Sequence, residues 1–262
     1  MKDNIQIYQG RQYRDENEMN CFVMGNEFIA VSIVESSCTS IIHVYRKERD
    51  HDHETTSCPR ILIGHQERIM CMQFYSRDDH DLLLCSVSQN NIYLWKITTS
   101  DGEDEFEFNR HELEQPDNHN AMSSIAFDAT GSLVAFGTET NVFVLQSCSG
   151  HVFAILDHTS RNISVAFHPL QTHLLVSTYE DKTFRVYDLA EKTILYTSAI
   201  LSVMSPIISM SLHPENGRIY LGFSNGKIQI FSIQENGYCR AHTTVLDMEK
   251  YLASQRKISV CK

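Results

Sequence analysis

The run ISVAFHPLQTHLLVSTYEDKTFRVYDL, residues 163–189, contains three short apolar strands joined by two turns. They are Ile163–Phe167, His173–Thr178 and Phe184–Tyr187, each mixing β-branched and aromatic residues, with Asp181-Lys182 in the tight turn. Three further stretches follow the same plan. They are Ile69–Phe74, Leu82–Ser88 and Ile92–Trp95; Met122–Phe127, Leu133–Thr138 and Val142–Leu145; and Ile207–Leu212, Arg218–Phe223 and Ile228–Phe231. The residues closing the first strand of each set, Phe74, Phe127, Phe167 and Leu212, lie 53, 40 and 45 positions apart. A strand-built period of that size is the signature of a β-propeller blade.

Turn residues bound these strands: Asn90-Asn91, Thr130-Gly131, Asn216-Gly217 and Asn225-Gly226. Asn-Gly reaches positive φ at little cost, as a tight antiparallel hairpin requires. No long helical pattern interrupts the series, which excludes an α/β enzyme fold with helices between its strands. A partial first blade precedes the four sets, with strands at Phe28–Val34, Ile41–Tyr45 and Arg60–Ile63. The organisation expected is a polar segment at 1–20, blades at about 21–63, 64–118, 119–157, 158–200 and 201–235, and a tail at 236–262. A weak amphipathic helical pattern marks Asp247–Gln255 in that tail.

Composition narrows the function classes. The chain has 262 residues, 42% hydrophobic and 21% charged, with a formal net charge of −11. No apolar run approaches the ~18 residues of a membrane span, and the first twenty residues lack a secretory apolar core. A cytoplasmic or nuclear protein is expected. The eight cysteines form no CxxC pair and no regular framework, so reduced, buried thiols are expected, not a disulfide scaffold. Between Asp101 and Asp117 eight acids face one base, Arg110. With no basic stripe to meet a phosphate backbone, nucleic-acid binding is not expected.

Gly64-His65 and Asp157-His158 stand at the same distance before Phe74 and Phe167, and Ser86 and Trp95 of one repeat match Ser177 and Tyr187-Asp188 of another. In these residues the chain resembles the WD40 repeat family over about 21–235. The resemblance implies an all-β, WD40-type β-propeller of about five four-stranded blades, hence a partial, open propeller, since the family usually has seven. It also implies a platform for protein assembly that has no catalytic activity. Carried over residue by residue, it implies a buried hydrogen-bonded chain in each blade. One chain would hold His65, Ser86, Asn90 and Trp95, and the other His158, Ser177, Asp181 and Tyr187. Aspartate facing imidazole bonds more strongly than an amide does, so the set with Asp181 is expected to be the better fixed. Tyr187 lacks an indole N–H, so its chain is expected to end one link early.

A serine, a histidine and an aspartate invite a hydrolase reading. A set that recurs once per blade is a fold device, however, and no G-x-S-x-G elbow is present. No catalytic, cofactor or metal residue is expected. His51 and His53 have no third donor at ligand spacing and read as a solvated loop. His168-Pro169 and His213-Pro214 recur just after a first strand and read as turn chemistry. The sequon at Asn162 falls on a blade strand and reads as unused. Asp188-Leu189-Ala190 lacks the arginine that ligase-recruiting members of the family carry.

Other proteins are the partners expected. Arg46, Lys47, Arg49, Phe106, Phe108 and Arg110 are the candidate contact residues, since they lie in connections the repeat does not need; the alternative for Phe106 and Phe108 is the outer strand of the second blade. The acidic 101–117 stretch reads first as a solvated insertion, and second as a tether that would steer a basic partner. The alternative function is a reader of basic or modified peptide tails through an acidic or aromatic rim. Five blades leave the end faces of an unclosed series bare. A longer parent protein, self-association, or a strap from Ile5–Tyr8 would each cover them; the first is preferred. Aggregation or dimerisation of the isolated chain is expected.

Overall fold

A computed structural model describes residues 21–25, 28–34, 39–46, 59–78, 81–99, 106–113, 122–199, 205–234 and 238–247. Among them every regular element is a strand, and the twenty strands form five separate four-stranded sheets. The first sheet is β1 (Phe22–Met24), β2 (Phe28–Val34), β3 (Ser40–Arg46) and β4 (Arg60–Ile63). The second is β5 (Ile69–Asp78), β6 (Asp81–Ser88), β7 (Ile92–Thr99) and β8 (Phe106–Leu113). The third is β9 (Ser124–Phe127), β10 (Leu133–Gly137), β11 (Asn141–Gln146) and β12 (Val152–Asp157). The fourth is β13 (Asn162–Phe167), β14 (Leu174–Tyr179), β15 (Phe184–Asp188) and β16 (Thr193–Thr197). The fifth is β17 (Ile207–Leu212), β18 (Ile219–Phe223), β19 (Lys227–Ile233) and β20 (Cys239–Asp247). Within each sheet the strands neighbour one another in chain order, as the short turns dictate.

One boundary read from the sequence is corrected. The fifth sheet does not end near residue 235, because Cys239–Asp247 pairs antiparallel with β19. Asp247, placed at the start of a helical stretch, is the last residue of that strand, and 248–255 lie outside the described residues. Within the expected second blade, the structure takes the outer-strand reading of Phe106 and Phe108. Phe106–Leu113 pairs residue for residue with Ile92–Thr99 as the second sheet's outer strand. Alternate side chains of an outer strand face solvent, so the acidic composition concealed a strand.

The chain divides into two compact units, 1–134 with 145–153, and 135–144 with 154–262. In the first unit, β1 lies beside β5 and β5 beside β9, so the first strands of successive sheets are neighbours. Val23, Ala30, Ile42, Val44 and Leu62 of the first sheet share a core with Ile69, Phe74, Leu84 and Trp95 of the second. In the second unit β13 lies beside β17, and Val176, Phe184 and Val186 pack with Ile219, Leu221 and Phe231. Strands β11 and β14 are buried on both faces, which is why their sequences, NVFVLQ and LLVSTY, show no alternation.

A second contact recurs between neighbouring sheets. The residue after the first-strand anchor reaches under a positive-φ glycine in the next sheet's first turn. In the first unit Tyr75 does this at Gly131 (φ 70°), where its hydroxyl donates to the Ala129 carbonyl at 3.1 Å. In the second unit His168 does it at Gly217 (φ 64°). A Cβ on Gly131 would lie 2.2 Å from the Tyr75 ring, and one on Gly217 would lie 2.1 Å from His168 Nε2. Glycine is therefore required twice over at both places, by conformation and by space.

Candidate functional site

The polar residues that recur in the second and fourth sheets form two sets, and each set lies inside one unit. In the second sheet the turn before β5 brings His65 to the middle of β6. His65 Nε2 is 2.7 Å from Ser86 Oγ, and the Trp95 indole Nε1–H donates to the same oxygen at 2.8 Å. Ser86 is fully buried and His65 is 4% exposed. Burial, and then the nearby Arg110 cation, lower the His65 pKa to about 4, so the ring is neutral at neutral pH.

Above this chain the Tyr93 ring lies 4.7 Å from the His65 ring, and the Arg110 guanidinium sits 4.9 Å over Tyr93. Arg110 Nη1 also donates to the Ile63 carbonyl at 3.4 Å. Gly64 lies beneath this stack. A Cβ there would be 2.7 Å from Arg110 Nη1 and 3.2 Å from Tyr93, which explains why glycine precedes the histidine.

Asn90 is corrected: it is not part of the chain. It is exposed, and its backbone N–H and side-chain amide both donate to the Glu67 carboxylate. The Nδ1 of His65 is buried without a hydrogen-bond partner as a result. Asn91 meanwhile donates to Glu112 at 2.9 Å, so this turn is tied down by two surface carboxylates and leaves the imidazole alone.

The fourth sheet departs further from expectation. Ser177 is buried, but its oxygen accepts from Asn162 Nδ2 at 2.5 Å, and no hydrogen bond joins it to His158. Asp181 does not reach His158 either. Its Oδ1 accepts the Thr183 hydroxyl at 2.6 Å and the Thr183 N–H at 3.0 Å, while its own N–H donates to Ser160. The Tyr187 hydroxyl meets that of Tyr179 at 2.5 Å. The better connected set is therefore that of the second sheet, the reverse of the expected order.

One position separates the two sets. Four residues after His65 stands Ile69, which has no polar atom, whereas four after His158 stands Asn162. The Asn162 amide donates to the strand serine of the fourth sheet, a donor that has no counterpart at Ile69 in the second. That amide also donates to the Ser164 and Thr178 carbonyls, so the Asn162 sequon is engaged in the sheet interior. Sequence reasoning missed Asn162, although a polar residue opening an otherwise apolar first strand was a readable signal.

It missed a second feature as well. His158 stacks on Tyr179 at 4.7 Å, and the Arg185 guanidinium lies 4.8 Å over Tyr179. The order arginine, tyrosine, histidine is thus the same in both sheets, though tyrosine comes from the third strand in one and the second in the other. Burial raises the pKa of Tyr179 and Tyr93 and lowers that of His158; around His158 the Asn141 and Ser160 backbone and the Asp157 carboxylate act in the opposite direction.

The His-Pro pairs form turns. His168 Nδ1 accepts the Leu170 and Gln171 N–H groups at 3.3 and 3.0 Å, and His213 Nδ1 accepts Glu215 N–H at 3.2 Å. Of the candidate contact residues, Arg46 ends β3 half-buried, and Arg110 is exposed but already engaged with Tyr93. The backbones of Phe106 and Phe108 pair with Thr99 and Ile97. Lys47, Arg49, His51, His53 and Ile5–Tyr8 lie outside the described residues.

Residues 56–96 and 142–188 match the WD domain, G-beta repeat. These two stretches contain all eight residues discussed above. Among solved structures, the chain is similar to one in the crystal structure of the mitotic checkpoint complex. The TM-score is 0.61 at 17% identity, over 87% of this chain and 74% of that one. It is also similar to the computationally designed Ika8 protein, with a TM-score of 0.58 at 19% identity, over 84% of this chain and 60% of that one. Two matched repeats, five meandering sheets and these neighbours together give an all-β fold of five four-stranded blades of the WD40 propeller type.

Proposed function

We propose that this chain is a non-catalytic scaffold that presents the turns and outer strands of its blades to partner proteins. WD40-type propellers generally serve that role, and the buried serine–histidine pair carries the reading here. Ser86 is fully enclosed and its oxygen takes the Trp95 indole proton while meeting His65, so no substrate carbonyl could reach it. In the fourth sheet the serine and histidine do not meet at all.

The reading places the chain in the cytoplasm or nucleus, with partners meeting Arg46, Lys47, Arg49, Phe106, Phe108 or Arg110, or the acidic 101–117 stretch. It is also consistent with a closer resemblance of the repeats at 64–95 and 163–233 to the N-terminal repeats of WD repeat-containing protein 27. The alternative, an aromatic reader of basic tails, gains nothing from Tyr93 and Tyr179, since each ring face already carries an internal arginine.

The test is affinity purification of the chain from cell extract with its neighbours identified by mass spectrometry. The wild type is compared with a variant in which Glu103, Asp104, Glu105 and Glu114 are changed to glutamine. Neighbours held through the acidic stretch drop out of the variant, and wash out as salt rises from ~50 to ~200 mM. Recovery of no stoichiometric partner, or turnover of generic ester or peptide substrates that Ser86→Ala abolishes, would overturn the scaffold reading.

A further inference from the structure

The residue after the first-strand anchor differs from sheet to sheet. In the second sheet it is Tyr75, and a phenol carries no charge near neutral pH. In the third it is Asp128, whose carboxylate accepts the Thr130 and Leu133 N–H groups at 3.2 and 2.8 Å and so closes its own turn. His168, in the fourth, does both tasks with one ring. Its Nδ1 accepts the Leu170 and Gln171 N–H groups at 3.3 and 3.0 Å, which closes the turn after β13. Its Nε2 meets the Gly217 backbone in the first turn of the fifth sheet, and the ring fills the space where a side chain at Gly217 would stand. The ring is 4% exposed, and β13 and β17 lie side by side within the second unit. A nitrogen that accepts two N–H groups carries no proton, so this ring is the neutral Nε2–H tautomer.

We infer that the His168 ring is a proton-sensitive latch between the fourth and fifth sheets, closed while neutral and released when Nδ1 takes up a proton. A proton on Nδ1 turns the acceptor of two N–H groups into a third donor aimed at them. Three donors cannot share that place, so the ring rotates away or the 169–171 turn opens. Either movement withdraws Nε2 from Gly217. The Tyr75 contact at Gly131 has the same form but no imidazole, so acid loosens the seam in the second unit and spares the one in the first.

The surrounding charges do not hold the protonated ring in place. His173, in the same turn, opposes a charge on it through space. The facing turn of the fifth sheet carries Glu215 and Arg218, both exposed, and His213, whose Nδ1 accepts Glu215 N–H. The hairpin bonded to the His173 carbonyl carries Asp188, whose carboxylate accepts the Ala190 and Glu191 N–H groups. Among the described residues no carboxylate is bonded to the ring, and burial lowers its pKa below 6.5. An opened turn takes a proton at that ordinary value and the closed turn only below it, so opening is favoured as the pH falls under 6.5. This inference goes beyond the scaffold reading, and either can fail without the other.

Hydrogen exchange of the full chain, followed by mass spectrometry and corrected for intrinsic rate, tests the latch at pH 7.5 and 5.5. Protection of 168–173 should fall about five- to tenfold, and that of 128–133, at the Tyr75 contact, by less than about twofold. His168→Asn keeps an acceptor for the turn, as Asp128 does in the third sheet, but does not titrate; its protection should be the same at both pH values. His213→Asn should respond as the wild type does. Nitrogen NMR of the imidazole should show the Nε2–H tautomer at pH 7.5. A proton on Nδ1 at pH 7.5, unchanged wild-type protection, an equal fall in His168→Asn, or loss of the response in His213→Asn would each overturn the proposal.

Discussion

Replacing Gly131 by alanine tests the contact between the second and third sheets most directly. At φ 70° any L-residue other than glycine is strained, by about 1 kcal/mol for alanine. Space adds a larger cost. The new Cβ would sit 2.2, 2.6 and 2.7 Å from the Cε1, Cδ1 and Cζ atoms of Tyr75, so the ring must move. In moving it gives up the bond to the Ala129 carbonyl, about 0.5–1.5 kcal/mol, and its tilted contact with Phe127, about 0.5–1.5 kcal/mol. Gly131→Ala should then cost about 2–4 kcal/mol. In a Tyr75→Ala background the ring nearest the new Cβ is gone, and the same change should cost about 1 kcal/mol, the backbone strain. The difference is a coupling of about 1–3 kcal/mol, which a double-mutant cycle isolates. Urea unfolding followed by fluorescence suits the measurement, because Trp95 is the only tryptophan and lies in the same sheet as Tyr75, two strands away. If Gly131→Ala costs the same in both backgrounds, or less than about 0.5 kcal/mol in the first, the contact does not hold these sheets together.

Other expectations concern the polar sets. Ser86→Ala leaves two buried groups, His65 Nε2 and Trp95 Nε1, without a partner and should cost about 2–4 kcal/mol in urea unfolding. Ser177→Ala leaves the Asn162 amide its two carbonyl acceptors and should cost about half as much. Equal losses would mean the two sets are equivalent. His65 has a folded pKa near 4 against 6.5 unfolded, so the unfolded chain binds more protons between those values. The stability it contributes is complete above pH 6.5 and falls by about 3 kcal/mol by pH 4. Urea midpoints between pH 7.5 and 4 should show this slope, reduced in His65→Gln; a flat profile in the wild type would refute it. Lys182 holds φ 66° in the fourth sheet's tight turn, so Lys182→Gly should raise the thermal midpoint, by about 0.5–1 kcal/mol in stability. A thiol reagent should modify exposed Cys148 in the native protein but reach Cys85, fully buried and with its thiol pKa pushed up by that burial, only on unfolding.

What the linear order of residues determined was the repeat itself. Short apolar strands punctuated by Asn-Gly and Asp-Lys turns can pair only with their chain neighbours, so five meandering sheets follow from local chemistry. The pairing of His65 with Ser86 and Trp95 was expected only through the resemblance to the WD40 repeat, which placed a histidine before the first strand near a serine and a tryptophan on the second and third. Tertiary structure alone decided which polar atom wins a shared partner. Ser177 goes to Asn162 and not to His158, and Asn90 goes to Glu67 and not to His65, because buried and surface acceptors are allotted by distance in three dimensions. It also decided between the two readings of Phe106 and Phe108, contact residues or outer strand, since an outer strand buries too little of itself to show an apolar pattern. Finally, the fit of Tyr75 beneath Gly131 joins side chain to backbone across two sheets, and no spacing within either repeat encodes that contact.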